Sequence, residues 1–430
     1  MQETLSHYFG YKSFRPGQEE IITKILNHQH TLGVLPTGGG KSICYQVPGL
    51  MQGGTTIVIS PLISLMKDQV DQLQAMGIQA AYLNSSLTHK QQKEIEERIK
   101  RGAIQFLYVA PERFENTFFL NLLRKIKIPL IAFDEAHCIS KWGHDFRPSY
   151  QSVIQKVFTL PQSFTIVALT ATATAEVQQD IMSKLSIGQN DVVKTSTKRR
   201  NLIFKVNPTY QRQKFVVDYV ANHEGQAGII YCSTRKQVEE LHEALNSEKI
   251  KSTIYHAGLT NKERIEAQND FLYDRVEVVI ATNAFGMGID KSNVRYVIHY
   301  NMPGDLESYY QEAGRAGRDG LKSECILLFS ERDKGLHEYF ITVSQADDDY
   351  KDKMGEKLTK MIQYTKTKKC LEATIVHYFE PNENLEECNQ CSNCIQENKT
   401  YDMTREAKMI ISCIARMKQQ ESYSVIIQVL

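Results

Sequence analysis

Leu130-Ile-Ala-Phe-Asp134-Glu135-Ala136-His137 is an apolar run that stops at two adjacent carboxylates. The run predicts a buried strand ending at an acidic pair. In an open parallel sheet, ligands bind just outside the carboxyl ends of the strands. One carboxylate there can hold a hydrated Mg²⁺ while the next orients a water for attack on a γ-phosphate. Directly downstream lies a loop with the only tryptophan of the chain, Trp142, together with Phe146, Arg147 and Tyr150. Aromatic and cationic side chains on a loop suit stacking on unpaired bases. One segment is thus expected to join phosphate chemistry to nucleic-acid contact. The plainer alternative is a capped strand end with its aromatics folded into the core.

Upstream, a helix over Glu19–Leu26 and a strand over Thr31–Leu35 lead into Pro36-Thr37-Gly38-Gly39-Gly40-Lys41-Ser42 and a further helical stretch. Strand, glycine-rich turn and helix form a phosphate-binding context. Backbone N–H groups close round the phosphates, Lys41 meets the β/γ charge, and Ser42 ligates Mg²⁺. Leu35 stands where the usual G-x-x-x-x-G-K-S pattern has glycine, so only the Gly-Lys-Ser end matches. A glycine turn without nucleotide is the alternative, and the Asp134-Glu135 pair weighs against it.

Between and beyond these landmarks strands and helices alternate. Strands are expected at Thr55–Ser60, Gln105–Ala110 and Thr165–Leu169, and helices at Leu62–Met76 and Thr88–Lys100. That alternation means an α/β fold with a largely parallel sheet covered on both faces. A second unit follows the basic turn Thr197-Lys-Arg-Arg-Asn201, with strands at Leu202–Val206, Gly228–Tyr231, Val276–Ala281 and Val294–Tyr300. It lacks a Gly-Lys-Ser/Thr but carries Thr282–Asp290 and Gln311-Glu-Ala-Gly-Arg-Ala-Gly-Arg-Asp-Gly320. Arg315 and Arg318 are three apart, so a helical end would aim both at a phosphate held by the first unit. Measured arginine fingers are worth ~10³–10⁵ in rate. Exposed arginines in a solvated turn are the alternative.

These residues together resemble the RecQ family of superfamily-2 DNA helicases. The resemblance rests on Phe14-Arg-Pro-Gly-Gln18, Thr37–Ser42, Asp134–His137 running into Cys138-Ile-Ser-Lys-Trp-Gly-His-Asp-Phe-Arg-Pro, Leu169-Thr-Ala-Thr-Ala173 and Gln311–Arg318. It spans essentially the whole chain in order. The aromatic-rich extension after Asp-Glu-Ala-His distinguishes the family from RNA helicases that share the tetrad. The resemblance implies that Gln18 reads the adenine edge, with Tyr11 stacking on the ring and Arg15 beside it. It also implies ATP-driven, 3′-to-5′ travel along one strand with unwinding of duplex DNA, and a role in repair or recombination. Expected partners are single-stranded and forked duplex DNA, with Trp142, Phe146 and Arg147 coupling DNA to the ATP site. The chain is expected to act as a monomer, in the nucleoid of a bacterial cytoplasm or in a nucleus.

At 430 residues the chain exceeds a single core. Its hydrophobic and charged fractions, 42% and 23%, are those of an ordinary globular protein. No apolar run reads as a membrane span or signal peptide. A net charge of +1 requires any nucleic-acid surface to be local. Lys351–Lys369 holds seven lysines against Asp352 and Glu356, which suits either a phosphate-tracking face or a solvated helix. Next come Cys370, Cys388, Cys391 and Cys394, four soft thiolates enough for a closed Zn²⁺ site. His377 could replace one of them. The family resemblance supports all four cysteines. A helix over Arg405–Met417 and the apolar Tyr423–Leu430 close the chain.

The expected organisation is two RecA-like lobes, 1–196 and 197–335, a helical zinc-binding module, 336–400, and the start of a winged-helix-like region, 401–430. In the family that last region supplies duplex binding, and the chain ends before it could be complete. Two alternatives stand: an RNA helicase, and a nucleic-acid clamp that binds nucleotide without hydrolysis. A clamp has no need of Glu135.

Overall fold

Thirteen strands form two all-parallel sheets in the computed structural model, which describes residues 1–85, 87–283, 285, 291–383, 386–395 and 404–416. The second half of the Thr282–Asp290 motif and the Tyr423–Leu430 segment lie outside the described residues. In the first lobe the strands are β1 (Thr31–Val34), β2 (Thr56–Ile59), β3 (Ala80–Leu83), β4 (Phe106–Val109), β5 (Leu130–Phe133), β6 (Thr165–Thr170) and β7 (Val192–Lys194). They pair in the order β3-β4-β2-β5-β6-β1-β7. Every residue of β5 is buried, because helices cover both faces of a parallel sheet and a continuous apolar run is what both faces need. Two apolar clusters, one per face, fill the space beneath those helices.

The second lobe holds β8 (Leu202–Pro208), β9 (Ala227–Tyr231), β10 (Ser252–Tyr255), β11 (Val278–Ala281), β12 (Val294–His299) and β13 (Ser323–Phe329), paired β10-β11-β9-β12-β13-β8. The expected strands are present within one or two residues at most ends. The sequence reading did not assign β3, β7, β10 or β13. The first of these, Ala80-Ala-Tyr-Leu83, is short and carries little of the β-branched signal that marks β2.

The zinc-binding segment is not a separate body. Leu358, Met361, Tyr364, Leu371, Ile375 and Phe379 share one apolar cluster with Tyr309, Cys325 and Leu327 of the second lobe. Most of the lysine-rich stretch lies on a helix, Asp348–Lys366, and three of its lysines are paired with carboxylates. Lys357 is buried and paired with the buried Glu307 at 3.0 Å. Lys353 pairs with Glu176, and Lys366 with Glu331. At the end of the described chain a helix runs over Thr404–Arg416.

Candidate active site between the lobes

Adjacent strands β5, β6 and β1 deliver three polar segments to one sheet edge: Asp134-Glu135, Thr170–Thr174 and Thr37–Ser42. Opposite them the helix Leu306–Ala313 of the second lobe runs into a turn carrying Arg315 and Arg318. Between the two lies a cleft of about 410 Å³. Its walls include Tyr11, Arg15, Gln18, Thr37, Gly38, Gly40, Lys41, Ser42, Asp134, Glu135, Gln311, Arg315 and Arg318. Residues far apart in sequence therefore meet as the motif reading expects. The two arginines reach the cleft from turns beyond the helix, where Gly317 has φ +58°, and not from a helical end.

The glycine turn is drawn tight. Gly38 and Gly40 have φ of +79° and +74°, a region that favours glycine. A Cβ on Gly40 would fall 2.5 Å from Gln18 Nε2. That amide donates to the carbonyls of Gly39 (3.2 Å) and Gly40 (2.9 Å), and Arg15 donates to the carbonyl of Gly38. Gln18 Oε1 accepts in turn from the Arg15 backbone N–H at 2.8 Å. Arg15 and Gln18 thus brace the loop from behind. Gly39 itself is held in this bracing and does not line the cleft. Thr37 Oγ1 and Arg315 Nε are buried without a protein partner at this cleft, which fits a polyanionic ligand.

The acidic pair is arranged asymmetrically. Burial, then the neighbouring Glu135, pushes the Asp134 carboxyl up to about 7, against the pull of Lys41. An added cation would relieve that cost, so Asp134 suits a metal-bound nucleotide. Glu135 adopts the left-handed region, φ 45° and ψ 51°, rare for a non-glycine residue and found mostly where function demands it. Its backbone N–H donates to Asp134 Oδ1 at 3.0 Å. Its Oε2 lies 3.4 Å from His137 Nδ1.

In the sequence His137 stands only as the last member of the tetrad; in the fold it has a definite job. Thr170 Oγ1 donates to the carbonyl of Thr172 (3.0 Å) and lies 3.1 Å from His137 Nδ1. Thr170 has no second proton, so His137 Nδ1–H must be the donor. Burial holds the ring far below the usual imidazole range, which keeps it neutral and leaves Nε2 bare. The ring stacks on His144, centroids 4.2 Å apart, and His144 reaches Gln311 of the second lobe. Nothing in the spacing of the two histidines signals that stack.

Trp142, Phe146 and Arg147 do not line the cleft. Trp142 is half-buried against the first lobe's core, with Lys141 and Lys353 near its ring at 5.5 and 5.8 Å. Arg147 pairs with Asp145 at 3.0 Å and donates to the carbonyl of Pro61. Tyr150, at the end of the loop, donates to the carbonyl of Asp134 at 3.1 Å, so loop and acidic pair are in direct contact.

Cys370, Cys388, Cys391 and Cys394 place their sulfurs within 4.8 Å of one another. The separations 3.4, 3.9 and 4.0 Å are close to the ~3.8 Å between sulfurs around a tetrahedral Zn²⁺ with Zn–S ≈ 2.3 Å. Backbone N–H groups of Leu371, Ala373, Cys388 and Cys391 point at these sulfurs at 3.3–3.5 Å, as suits thiolates. The set fits zinc, and the exposed His377 is not part of it.

Comparison with known proteins agrees with this geometry. Residues 15–181 match the DEAD/DEAH box helicase model, and 211–320 match the helicase conserved C-terminal domain. The fold resembles S. cerevisiae Dbp5 bound to RNA and ADP BeF3 (TM-score 0.65, 20% identity, covering 84% of this chain and 97% of that one). It also resembles Mycobacterium smegmatis helicase Lhr bound to ssDNA and AMP-PNP (TM-score 0.62, 16% identity, 85% and 57%). The class is a two-lobed, ATP-hydrolysing helicase. Residues 331–395 further match the RecQ zinc-binding model. The chain is 48% identical over its full length to the ATP-dependent DNA helicase RecQ of Bacillus subtilis, covering 72% of that protein. It is 42% identical to that of Haemophilus influenzae, covering 96% of this chain and 67% of the relative. The chain belongs to the RecQ family of ATP-dependent DNA helicases.

Proposed function

We propose that this chain is a monomeric motor that hydrolyses MgATP to travel 3′-to-5′ on single-stranded DNA and so opens forked duplexes during repair or recombination. The observation that carries the reading is the meeting of Lys41, Asp134 and Glu135 of one lobe with Arg315 and Arg318 of the other in a single cleft. One chain supplies both halves, which supports a monomer.

Within this reading Lys41 and the N–H groups of Gly38, Gly40, Lys41 and Ser42 hold the phosphates, with Tyr11, Arg15 and Gln18 on the base side. Ser42 and Asp134 would hold Mg²⁺, which would neutralise phosphate charge when the nucleotide is bound. Glu135, whose Oε2 lies beside the neutral His137 ring, orients the attacking water and takes up its proton. Arg315 and Arg318 stabilise the charge that develops on the γ-phosphate. Their lobe separates from the first once that charge is gone, and the opening and closing move the DNA. Cys370, Cys388, Cys391 and Cys394 would hold Zn²⁺ in a structural role away from the ATP cleft.

The test compares ATPase stimulation by oligo-dT with that by RNA of equal length, and strand separation on forks with a 3′ or a 5′ tail. Stimulation by RNA alone, or opening only from a 5′ tail, overturns the reading.

A further inference from the structure

The connection between the lobes does more than join them. We propose that Arg199 is a positioning residue that keeps the arginine turn of the second lobe in register with the phosphate loop of the first. Its Nη1 donates to the carbonyl of Thr37 at 2.6 Å. Its Nη2 donates to the carbonyls of Gly317 and Ala316 at 3.1 and 3.3 Å. One planar guanidinium therefore ties Thr37, at the start of the phosphate loop, to the two residues that separate Arg315 from Arg318. A guanidinium is suited to this because its donors form a rigid fork.

The backbone carrying Arg199 is itself pinned. Glu380 Oε1 accepts from the Thr197 N–H at 2.9 Å, and the Tyr310 hydroxyl donates to the Thr197 carbonyl. Gln390, one residue before Cys391, donates to the Arg200 carbonyl at 2.9 Å. The zinc-binding segment thus grips the connection, and the connection bridges the two halves of the ATP site.

The two ends of the bridge are not equally dependent on it. Arg15 and Gln18 brace the phosphate loop independently. The arginine turn is held within its own lobe by Asn201, which donates to Gly317 at 2.8 Å; against the first lobe the preceding helix is tied by Gln311 to His144, and the turn itself by Arg199. Loss of Arg199 should then spare ATP binding and damage turnover, since a misplacement of ~1 Å can cost ~10²-fold in rate.

The inference rests on the assignment of Arg315 to the transition-state charge, so the test is a double-mutant cycle. DNA-stimulated kcat and the KM for ATP are measured for the parent, Arg199→Gln, Arg315→Ala and the double variant, with melting temperatures on the same preparations. Arg199→Gln should lower kcat about tenfold or more with KM changed less than about threefold. The double variant should be no slower than Arg315→Ala alone. A rise in KM with kcat unchanged, parent-like kinetics, or effects that multiply in the double variant would each overturn the role. Should the glutamine variant not fold, the cycle is run with Arg199→Lys, which keeps the charge but not the fork, and the same outcomes decide. If Arg315→Ala alone keeps the parent rate, the arginine-finger reading fails instead, which is a separate result.

Discussion

His144 Nε2 lies 3.0 Å from Gln311 Oε1, joining the loop after the acidic strand of the first lobe to the helix that leads into the second lobe's arginine turn. Behind it the His144 ring stacks on His137, which reaches Glu135. A continuous contact path therefore runs from the Glu135 carboxylate, through the aromatic loop, to a residue four positions before Arg315. His144→Ala should leave nucleotide affinity near the parent value and reduce DNA-stimulated turnover about tenfold, with a smaller loss in basal rate. Equal loss in both rates would assign His144 to the chemistry alone.

Phosphate holding and water activation should separate. Lys41→Ala should weaken ATP binding and remove most hydrolysis, whereas Glu135→Gln should bind ATP like the parent and lose about 10²-fold or more in kcat. Equilibrium binding of a non-hydrolysable analogue beside steady-state kinetics gives the answer. Near-parent turnover by Glu135→Gln removes its role.

Asp134 costs stability in the nucleotide-free protein. Burial and then the neighbouring Glu135 push its carboxyl up to about 7 when folded, against about 3.9 in an unfolded chain, so the folded state binds the extra proton. Stability from this group therefore falls as pH rises from about 4 to 7 and is flat above. Asp134→Asn should raise the melting temperature of the nucleotide-free protein, by more at pH 8 than at pH 5, while abolishing Mg²⁺-dependent hydrolysis. A gain independent of pH would mean that the carboxylate is not the source of the cost.

Motifs placed after strands were legible because chemistry and backbone there share one signal. Gly38–Gly40 and Asp134-Glu135 each follow an apolar run, and the sheet order brings them to one edge. Contacts between lobes had no such signal. In sequence Arg199 is one residue of a basic turn, and its acceptors are backbone carbonyls, which leave no trace in side-chain pattern. The lysine run hides one contact for a related reason: Lys357 faces Glu307 across a tertiary interface, and helical charge density does not reveal which lysine points inward.

Zinc should matter to the motor as well as to DNA binding. A cysteine site outside the lobes would spare basal ATPase. Instead Cys370 and Cys391 are buried in the second lobe's own apolar cluster, and the neighbouring Gln390 holds the connection that carries Arg199. Metal analysis should find about one Zn per chain. Cys391→Ala should lose it, lower the melting temperature and reduce DNA-independent ATPase. Metal-free protein with unchanged melting and turnover would contradict the packing argument.

Trp142 is the residue on which structure and sequence press hardest against one another. Its ring packs on the first lobe between two lysines, and its carbonyl accepts from Lys357 Nζ at 2.8 Å. Removing the ring leaves that backbone contact in place, so Trp142→Ala should fold and bind ATP normally. Lys357→Met should do worse for stability, because it strands the buried Glu307; breaking one half of such a pair costs ~3–5 kcal/mol. Adding Glu307→Gln to it should recover much of that loss. The functional consequence of Trp142→Ala lies in coupling. Stacking of a base on an aromatic ring is worth ~1–3 kcal/mol, so DNA affinity should fall modestly while the ATPase response to oligo-dT falls steeply. Phe146→Ala, half-buried on the same loop, should behave alike. Melting temperature, ATP affinity and ATPase with and without oligo-dT, measured together, separate the cases. Stable variants that DNA still stimulates fully would sink the coupling role, and unstable ones would return both aromatics to the core.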